Sequence, residues 1–305
     1  MILPIPLTLA PCPYPLEPIM LLTKVYYNFK FLIPRPLQIR LRRYLVRRKL
    51  AMYADIWPID PNAAKPLGIR GHDPNWGKSG DMTQFRQKLG SCPQIFTDLP
   101  QIAETGITSP DSQGWSDWPD GKKFALVLTH DIETVDGLEK CMQLAEMEEH
   151  LGFRSSFNFV AGDYPVPAAL CQHLTDHGFE IGVHGLHHSG NPFRSKSVFL
   201  KQSAEINRAL KEWGAVGFRS PSMYHNLEML HHLDIEYDAS TFDTDPFEPQ
   251  PDGMSTIFPF WVPDQDRQKG YVELPYTLPQ DFLLFVLLQE KNIDIWKRKL
   301  DWIAE

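Results

Sequence analysis

The sequence predicts an α/β fold with a parallel sheet from about residue 121 to the end of the chain. Short apolar runs such as "FALVLTH" (124–130) and "FEIGVH" (179–184) alternate with helical segments such as "SKSVFLKQSAEINRALKEWG" (195–214). Strand and helix repeat in units of roughly 20 to 35 residues, which is typical of right-handed β-α-β units. With 305 residues, the chain can hold one large domain of this kind and an extension.

The predicted elements follow one another in a regular order. The first strand leads into "GLEKCMQLAEMEEHLGF" (137–153), which has helical spacing, and "RSSFNFV" (154–160) then alternates like a strand. Pro167 and Gly178 mark the start and end of the next helix, 166–178. Further strands are predicted at 179–184, 215–220, 235–240, 256–262 and 271–276, with helices at 195–214, 226–233 and 292–305.

Residues 1–120 have a different character and form a predicted N-terminal extension to a domain at 121–305. Pro-rich pieces surround a basic amphipathic helix at 36–57, and the turn-rich stretch 109–123 reads as a linker. Such a helix can lie on an anionic membrane surface. We favour the alternative, in which it packs on the main domain with its arginines in solvent or in ion pairs.

Composition limits the class of partner and the compartment. The formal net charge is -8, so the whole chain offers no electrostatic reason to bind nucleic acid. Its four cysteines form no C-x-x-C pair, which favours free thiols in a reducing compartment. The apolar start lacks a positively charged region and is interrupted by prolines, unlike a signal peptide. We therefore expect a cytoplasmic protein.

Polar clusters occur at the same place in successive units. "THDIE" ends the first strand, "HGLHH" the third, "RSP" the fourth and "DAS" the fifth. The carboxyl ends of parallel strands form one rim, where α/β enzymes carry their active sites. The prediction is that this rim gathers Asp131, Glu133, His184, His188, Arg219 and Asp238.

The residue types at this rim suit metal-assisted hydrolysis of an amide or ester. His184 and His188 have a spacing that lets two imidazoles meet one cation, and Asp131 and Glu133 point the same way in extended backbone. Two histidines and a carboxylate make a common open zinc site, and a second carboxylate can act as general base. The alternatives are a loop of exposed histidines and acidic residues that cap a helix.

The order of these motifs resembles the polysaccharide deacetylase family. "HGLHH" matches its metal-binding histidine motif, and "FRSPSMY" matches its R-x-P motif through Arg219 and Pro221. The resemblance covers residues 124–305 and implies a distorted (β/α) barrel that removes acetyl groups from N-acetylated sugars, usually with zinc. It also implies that Arg219 orients the catalytic base.

The sequence departs from the family pattern at two places. Where the family has adjacent aspartates, Ile132 follows Asp131, so Glu133 is the expected metal ligand and Asp131 the expected base, with the converse left open. No histidine follows His232, whereas the family ends on a strand with a proton-donating histidine. We therefore expect a chain cut short before its last strand, with an open seam and turnover slowed by about 10² to 10⁴-fold.

The expected activity is hydrolysis of a non-peptide carbon–nitrogen bond, most simply N-deacetylation of a sugar or polysaccharide. The alternatives are a catalytically impaired carbohydrate-binding relative and an amidohydrolase for a small non-sugar amide. The expected partners are an acetylated carbohydrate and a divalent cation, with zinc preferred among several that such ligands suit. Pro221, Asp238 and Trp261 are the predicted substrate contacts; core packing is the alternative for Trp261.

Overall fold

A computed structural model describes residues 33–64, 121–250, 252–264 and 269–305. The first Pro-rich segment (11–18), the end of the second (65–68) and most of the predicted linker lie outside the described residues. The described chain forms a seven-stranded sheet in the order β1-β2-β3-β4-β5-β7-β6. The strands are β1 (Thr129–Ile132), β2 (Ser156–Phe159), β3 (Glu180–Val183), β4 (Gly217–Phe218), β5 (Tyr237–Asp238), β6 (Phe260–Asp264) and β7 (Lys269–Glu273).

All neighbouring strands are parallel except β6 and β7, which form an antiparallel pair at one edge. The predicted α/β class and parallel sheet are therefore confirmed. The sequence did not predict that the edge strand β6 pairs with β7 in the antiparallel direction. Within the described part of the chain the sheet is open, with β1 at one edge and β6 at the other.

Helices connect the strands as the periodicity predicts. Gly214 ends the long helix in a left-handed conformation (φ 64°), which glycine adopts without steric cost. The helix predicted at 137–153 is instead two helices, because Thr134 caps a separate first turn. The helices are α1 (Arg35–Met52), α2 (Val135–Leu138), α3 (Cys141–His150), α4 (Ala168–Asp176), α5 (Lys196–Trp213), α6 (Leu227–Leu230) and α7 (Asp294–Ala304).

The first strand is shorter than predicted. Residues 124–128 lie outside the sheet ladder, and Phe124, Leu126 and Val127 are exposed. The apolar residues 124–128 were predicted to belong to the strand. However, β1 lies at an edge of the sheet and pairs with β2 only from Thr129 onwards. A π-helical segment at Phe282–Leu288 is a further element that the periodicity did not predict.

The basic helix α1 packs against this π-helical segment. Val46 on α1 joins Trp57, Phe247 and Leu284 in a small buried cluster separate from the main core. The Nε of Arg43 donates to the carbonyl of Val286 at 2.9 Å. The helix thus packs on the main domain, as we favoured, but Arg43 bonds a backbone carbonyl and not solvent or an acidic side chain. No helix among the described residues is long and apolar enough to cross a membrane.

Candidate metal and catalytic site

His184 lies immediately after β3 and is the most buried of the candidate ligands, with 2% of its surface exposed. Its Nδ1 donates to the backbone carbonyl of Arg219 at 2.9 Å, which leaves Nε2 as the acceptor nitrogen. Nε2 is buried and has no hydrogen-bond partner among the described residues. Burial lowers the pKa of His184 and keeps the ring neutral, the form that binds a metal.

His188 and Glu133 face His184 across the rim. The Nε2 of His188 is 3.0 Å from a carboxylate oxygen of Glu133, and the two histidine rings lie 5.4 Å apart between centroids. Ligand atoms of Glu133, His184 and His188 all lie within 4.8 Å of one another. This group could hold a metal ion. Burial raises the pKa of Glu133, but the hydrogen bond and charge of His188 outweigh this effect. The pKa of Glu133 therefore lies below its ordinary value.

The loop that carries both histidines is fixed by close backbone contacts. Gly185 has a left-handed φ of 73°, and a Cβ there would lie 2.8 Å from the ring of Pro221. The carbonyls of Gly185 and Leu186 accept hydrogen bonds from the turn at 161–162. Asp163 in the same turn accepts from the backbone N–H of His188 at 2.8 Å. The positions of the two imidazoles are thus set by a turn after β2 and by Pro221.

Asp131, near the end of β1, is held by one side chain from the adjacent strand β2 and one that follows β4. The Nε of Arg219 lies 3.3 Å from Oδ2, and Asn158 Nδ2 donates to Oδ1 at 3.1 Å. Asn158 has room for this bond because Gly182 on β3 has no side chain beneath it. Burial raises the pKa of Asp131, but Arg219, His184 and Asn158 together bring it below the ordinary value. The carboxylate is therefore ionised at neutral pH.

Arg219 follows β4 and is almost fully buried. Its Nη1 donates to Thr129 Oγ1 at 2.5 Å, and its Nε also lies 3.4 Å from Met223 Sδ. The guanidinium carbon is 5.5 Å from the ring centroid of Tyr276. Among the described residues, Asp131 is the carboxylate within ion-pair distance of Arg219.

The three predicted substrate contacts are buried or packed against neighbouring residues. Asp238 is fully buried and accepts hydrogen bonds from Ser240, so it cannot touch a bound sugar. Pro221 is also buried and packs on Gly185, where it supports the histidine loop instead. Trp261 packs beside a small buried cluster around Tyr237, as the packing alternative expected. These corrections share one cause: nearness to the rim in sequence does not determine which way a side chain points.

Three residues near the rim were missed by sequence reasoning. Asn158 contacts Asp131, Asp163 holds the histidine loop, and Tyr276 faces Arg219. Asn158 carried a usable signal, because a polar residue in the middle of a buried strand needs a partner. The other two lie in loops whose approach to the site depends on tertiary contacts.

The rim opens into a cavity of about 1020 Å³ between residues 123–133 and the C-terminal segments. Asp131, Glu133, Arg219 and Tyr276 line its polar part. Apolar side chains line the remainder, among them Phe282. Of the three candidate metal ligands, Glu133 lines this cavity.

No protein-family model and no curated protein sequence matches the chain. A Mycobacterium smegmatis structure, whose name places it among the polysaccharide deacetylases, is 17% identical with a TM-score of 0.46, covering 67% of this chain and 78% of that one. A Pseudomonas aeruginosa PAO1 structure named in the same way is 18% identical with a TM-score of 0.43, covering 53% and 54%. Puue allantoinase is 17% identical with a TM-score of 0.41, covering 53% of each chain. This chain thus spans about half the length of the last two.

Two of these three structures carry the name of the family that the sequence motifs resemble. With identities of 17–18% and TM-scores of 0.41–0.46, these likenesses carry no argument about the activity of this chain.

Proposed function

We propose that this protein is a metal-dependent hydrolase of a non-peptide carbon–nitrogen bond, acting as a deacetylase on an N-acetylated sugar or polysaccharide. One observation carries the proposal: the buried, unpartnered Nε2 of His184 lies in a group with His188 and Glu133, next to the ion pair of Asp131 and Arg219. A buried acceptor without a partner needs an explanation, and a bound cation supplies one.

The donor set suits a divalent cation. Two imidazoles and one carboxylate match an open zinc site, in which one position is left for water or substrate. Glu133, His184 and His188 would hold the ion. When bound, Zn²⁺ or a similar ion polarises a carbonyl oxygen and lowers the pKa of water. The contact of His184 Nδ1 with a backbone carbonyl is typical of metal-binding histidines, because it fixes the orientation of the ring.

Asp131 is the proposed proton acceptor. It is ionised, it lies beside His184, and Arg219 and Asn158 each hold one of its two oxygens. These contacts direct the carboxylate towards the rim, where it can accept a proton from the attacking water. Glu133 contacts His188 directly, which favours Glu133 as the ligand and Asp131 as the base rather than the converse.

Metal content tests the proposal first. We expect the purified protein to hold one divalent ion per chain, measured by elemental analysis after dialysis against Zn²⁺. His184→Ala should lose this ion. His173→Ala is a matched control, because His173 lies on α4 and its ring stacks on His177, away from the rim. A wild-type protein without stoichiometric metal would contradict the proposal.

Acetate release from N-acetylglucosamine oligomers tests the substrate class. Asp131→Asn should retain the metal and lower the rate by about 10² to 10⁴-fold, as loss of a general base does. If the wild-type protein binds metal but releases acetate from neither these oligomers nor small N-acetyl amides, the site is a metal centre with another function.

A further inference from the structure

We infer that Tyr276 is a positioning residue for Arg219: its ring holds the guanidinium against Asp131, and its hydroxyl is anchored by the buried pair Asp245 and Glu248. The inference rests on the proposed function in one respect, since it treats Asp131 as the proton acceptor. Tyr276 itself touches neither Asp131 nor the candidate metal ligands through any observed bond, so it acts through Arg219.

The ring of Tyr276 is fixed by its own backbone. Tyr276 follows β7 and forms an isolated parallel bridge with Phe242. Its N–H donates to the carbonyl of Thr241 at 3.0 Å, and its carbonyl accepts from the N–H of Asp243 at 3.2 Å. A ring held in this way can restrain the guanidinium of Arg219, whose carbon lies 5.5 Å from the ring centroid.

Among the described residues, no second carboxylate lies within ion-pair distance of Arg219 to hold it instead. Its other side-chain contacts are with the hydroxyl of Thr129 and the sulfur of Met223, both neutral. Among the described residues, Asp131 is the carboxylate that pairs with it. The ring of Tyr276 therefore restrains rotation of the guanidinium away from Asp131.

The hydroxyl of Tyr276 lies between two fully buried carboxyl groups. It is 3.2 Å from Asp245 Oδ2 and 3.1 Å from Glu248 Oε1. Because a phenol has one proton, it can donate to only one carboxylate at a time. Burial and the charge of Glu248 raise the pKa of Asp245 to about 7, and burial also raises the pKa of Glu248. The pair therefore retains a proton near neutral pH, which lets both groups bond the same hydroxyl.

The helix α1 supports the loop that carries this pair. Lys49 Nζ, buried, donates to the carbonyl of Pro246 at 2.8 Å. Trp57, just beyond α1, packs edge-to-face on Phe247 with 5.1 Å between ring centroids. The charged groups that act on the pair are Arg42 and Lys49 on α1, Arg219 after β4, Asp243 in the same loop and Lys299 on α7. The N-terminal helix is thus part of the support of the site.

Tyr276→Leu and Tyr276→Phe test the inference, the first removing the ring and the second only the hydroxyl. Tyr271→Phe is the matched control, because Tyr271 on β7 is also buried and donates to a carbonyl, that of Leu227, at 2.8 Å. The first readout is the order parameter of the Arg219 Nε–H group in ¹⁵N-labelled protein, assigned with Arg219→Lys. We expect this value to fall in both Tyr276 variants and to stay unchanged in Tyr271→Phe.

The second readout separates kcat from KM for acetate release. Misplacement of a catalytic group by about 1 Å can cost on the order of 10²-fold, so we expect Tyr276→Leu to lower kcat by about 10 to 100-fold with little change in KM. Metal content should remain that of the wild type. Tyr276→Phe keeps the packing of the ring. If Tyr276→Leu does not fold, the same measurements on Tyr276→Phe test the inference.

An unchanged Arg219 order parameter in the folded Tyr276 variants would overturn the inference, with or without turnover. Loss of the metal together with the order parameter would also overturn it, since the site would then have collapsed more widely. If the order parameter falls as expected but the wild-type protein releases no acetate, the positioning role stands and the deacetylase proposal fails.

Discussion

Replacing Gly185 with alanine should disturb the candidate metal site through backbone strain. Gly185 has a φ of 73°, and placing an L-residue in the left-handed region costs roughly 1–2 kcal/mol. The new Cβ would also lie 2.8 Å from Cγ and Cδ of Pro221, and overpacking of this kind typically costs about 1–3 kcal/mol. The two effects add to roughly 2–5 kcal/mol of lost stability. Because His184 is the preceding residue, relief of this strain should move its Nε2.

Gly190→Ala provides a matched control. Gly190 has a similar φ of 69°, but no atom lies within 4 Å of the position of its Cβ. It should therefore show only the conformational cost. Denaturant unfolding measures the stability of each variant, and competition with a chromogenic chelator measures zinc affinity. We expect Gly185→Ala to lose about 10 to 100-fold in zinc affinity, comparable to loss of a group that orients a ligand, and Gly190→Ala to lose little.

A double variant separates crowding from conformational strain. Adding Pro221→Ala to Gly185→Ala removes the ring atoms that the new Cβ meets, and should restore part of the stability and zinc affinity. The reasoning is refuted if Gly185→Ala and Gly190→Ala have equal stability and equal zinc affinity. In that case the contact with Pro221 would not determine the position of His184.

Three further predictions follow from the contacts around the site. Asp163→Asn should weaken metal binding about 10-fold, because the hydrogen bond to the His188 backbone loses its charge; calorimetric zinc titration measures this. Asn158→Ala should lower kcat/KM by about 10 to 150-fold, since a hydrogen bond to the Asp131 carboxylate contributes roughly 1.5–3 kcal/mol; equal rates would contradict that role. The folded pKa of Asp245, about 7, exceeds its ordinary 3.8, so its stabilising contribution is present below the ordinary value and is lost as pH rises towards 7. Asp245→Asn should therefore flatten the decline in unfolding free energy between about pH 4 and 7, measured with urea.

The order of strands and helices could be predicted because it depends on local periodicity and on glycine and proline positions. Gly214 and Pro167 marked helix boundaries that the structure retains, since glycine adopts a left-handed helix end without steric cost and the proline ring fixes φ. The limits of β1 could not be predicted in this way. Whether residues 124–128 join the sheet depends on where the neighbouring strand β2 begins, which is a tertiary property.

Sequence alone indicated that acidic and histidine motifs end successive parallel strands, and parallel connectivity brings such ends to one edge. It left open which carboxylate accompanies the histidines. Tertiary structure decided that Glu133 contacts His188 while Asp131 contacts Arg219, because the end of β1 directs these two side chains to different partners. Only tertiary structure brought Tyr276, Asp245 and α1 to the same site, since their approach depends on contacts between segments far apart in the chain.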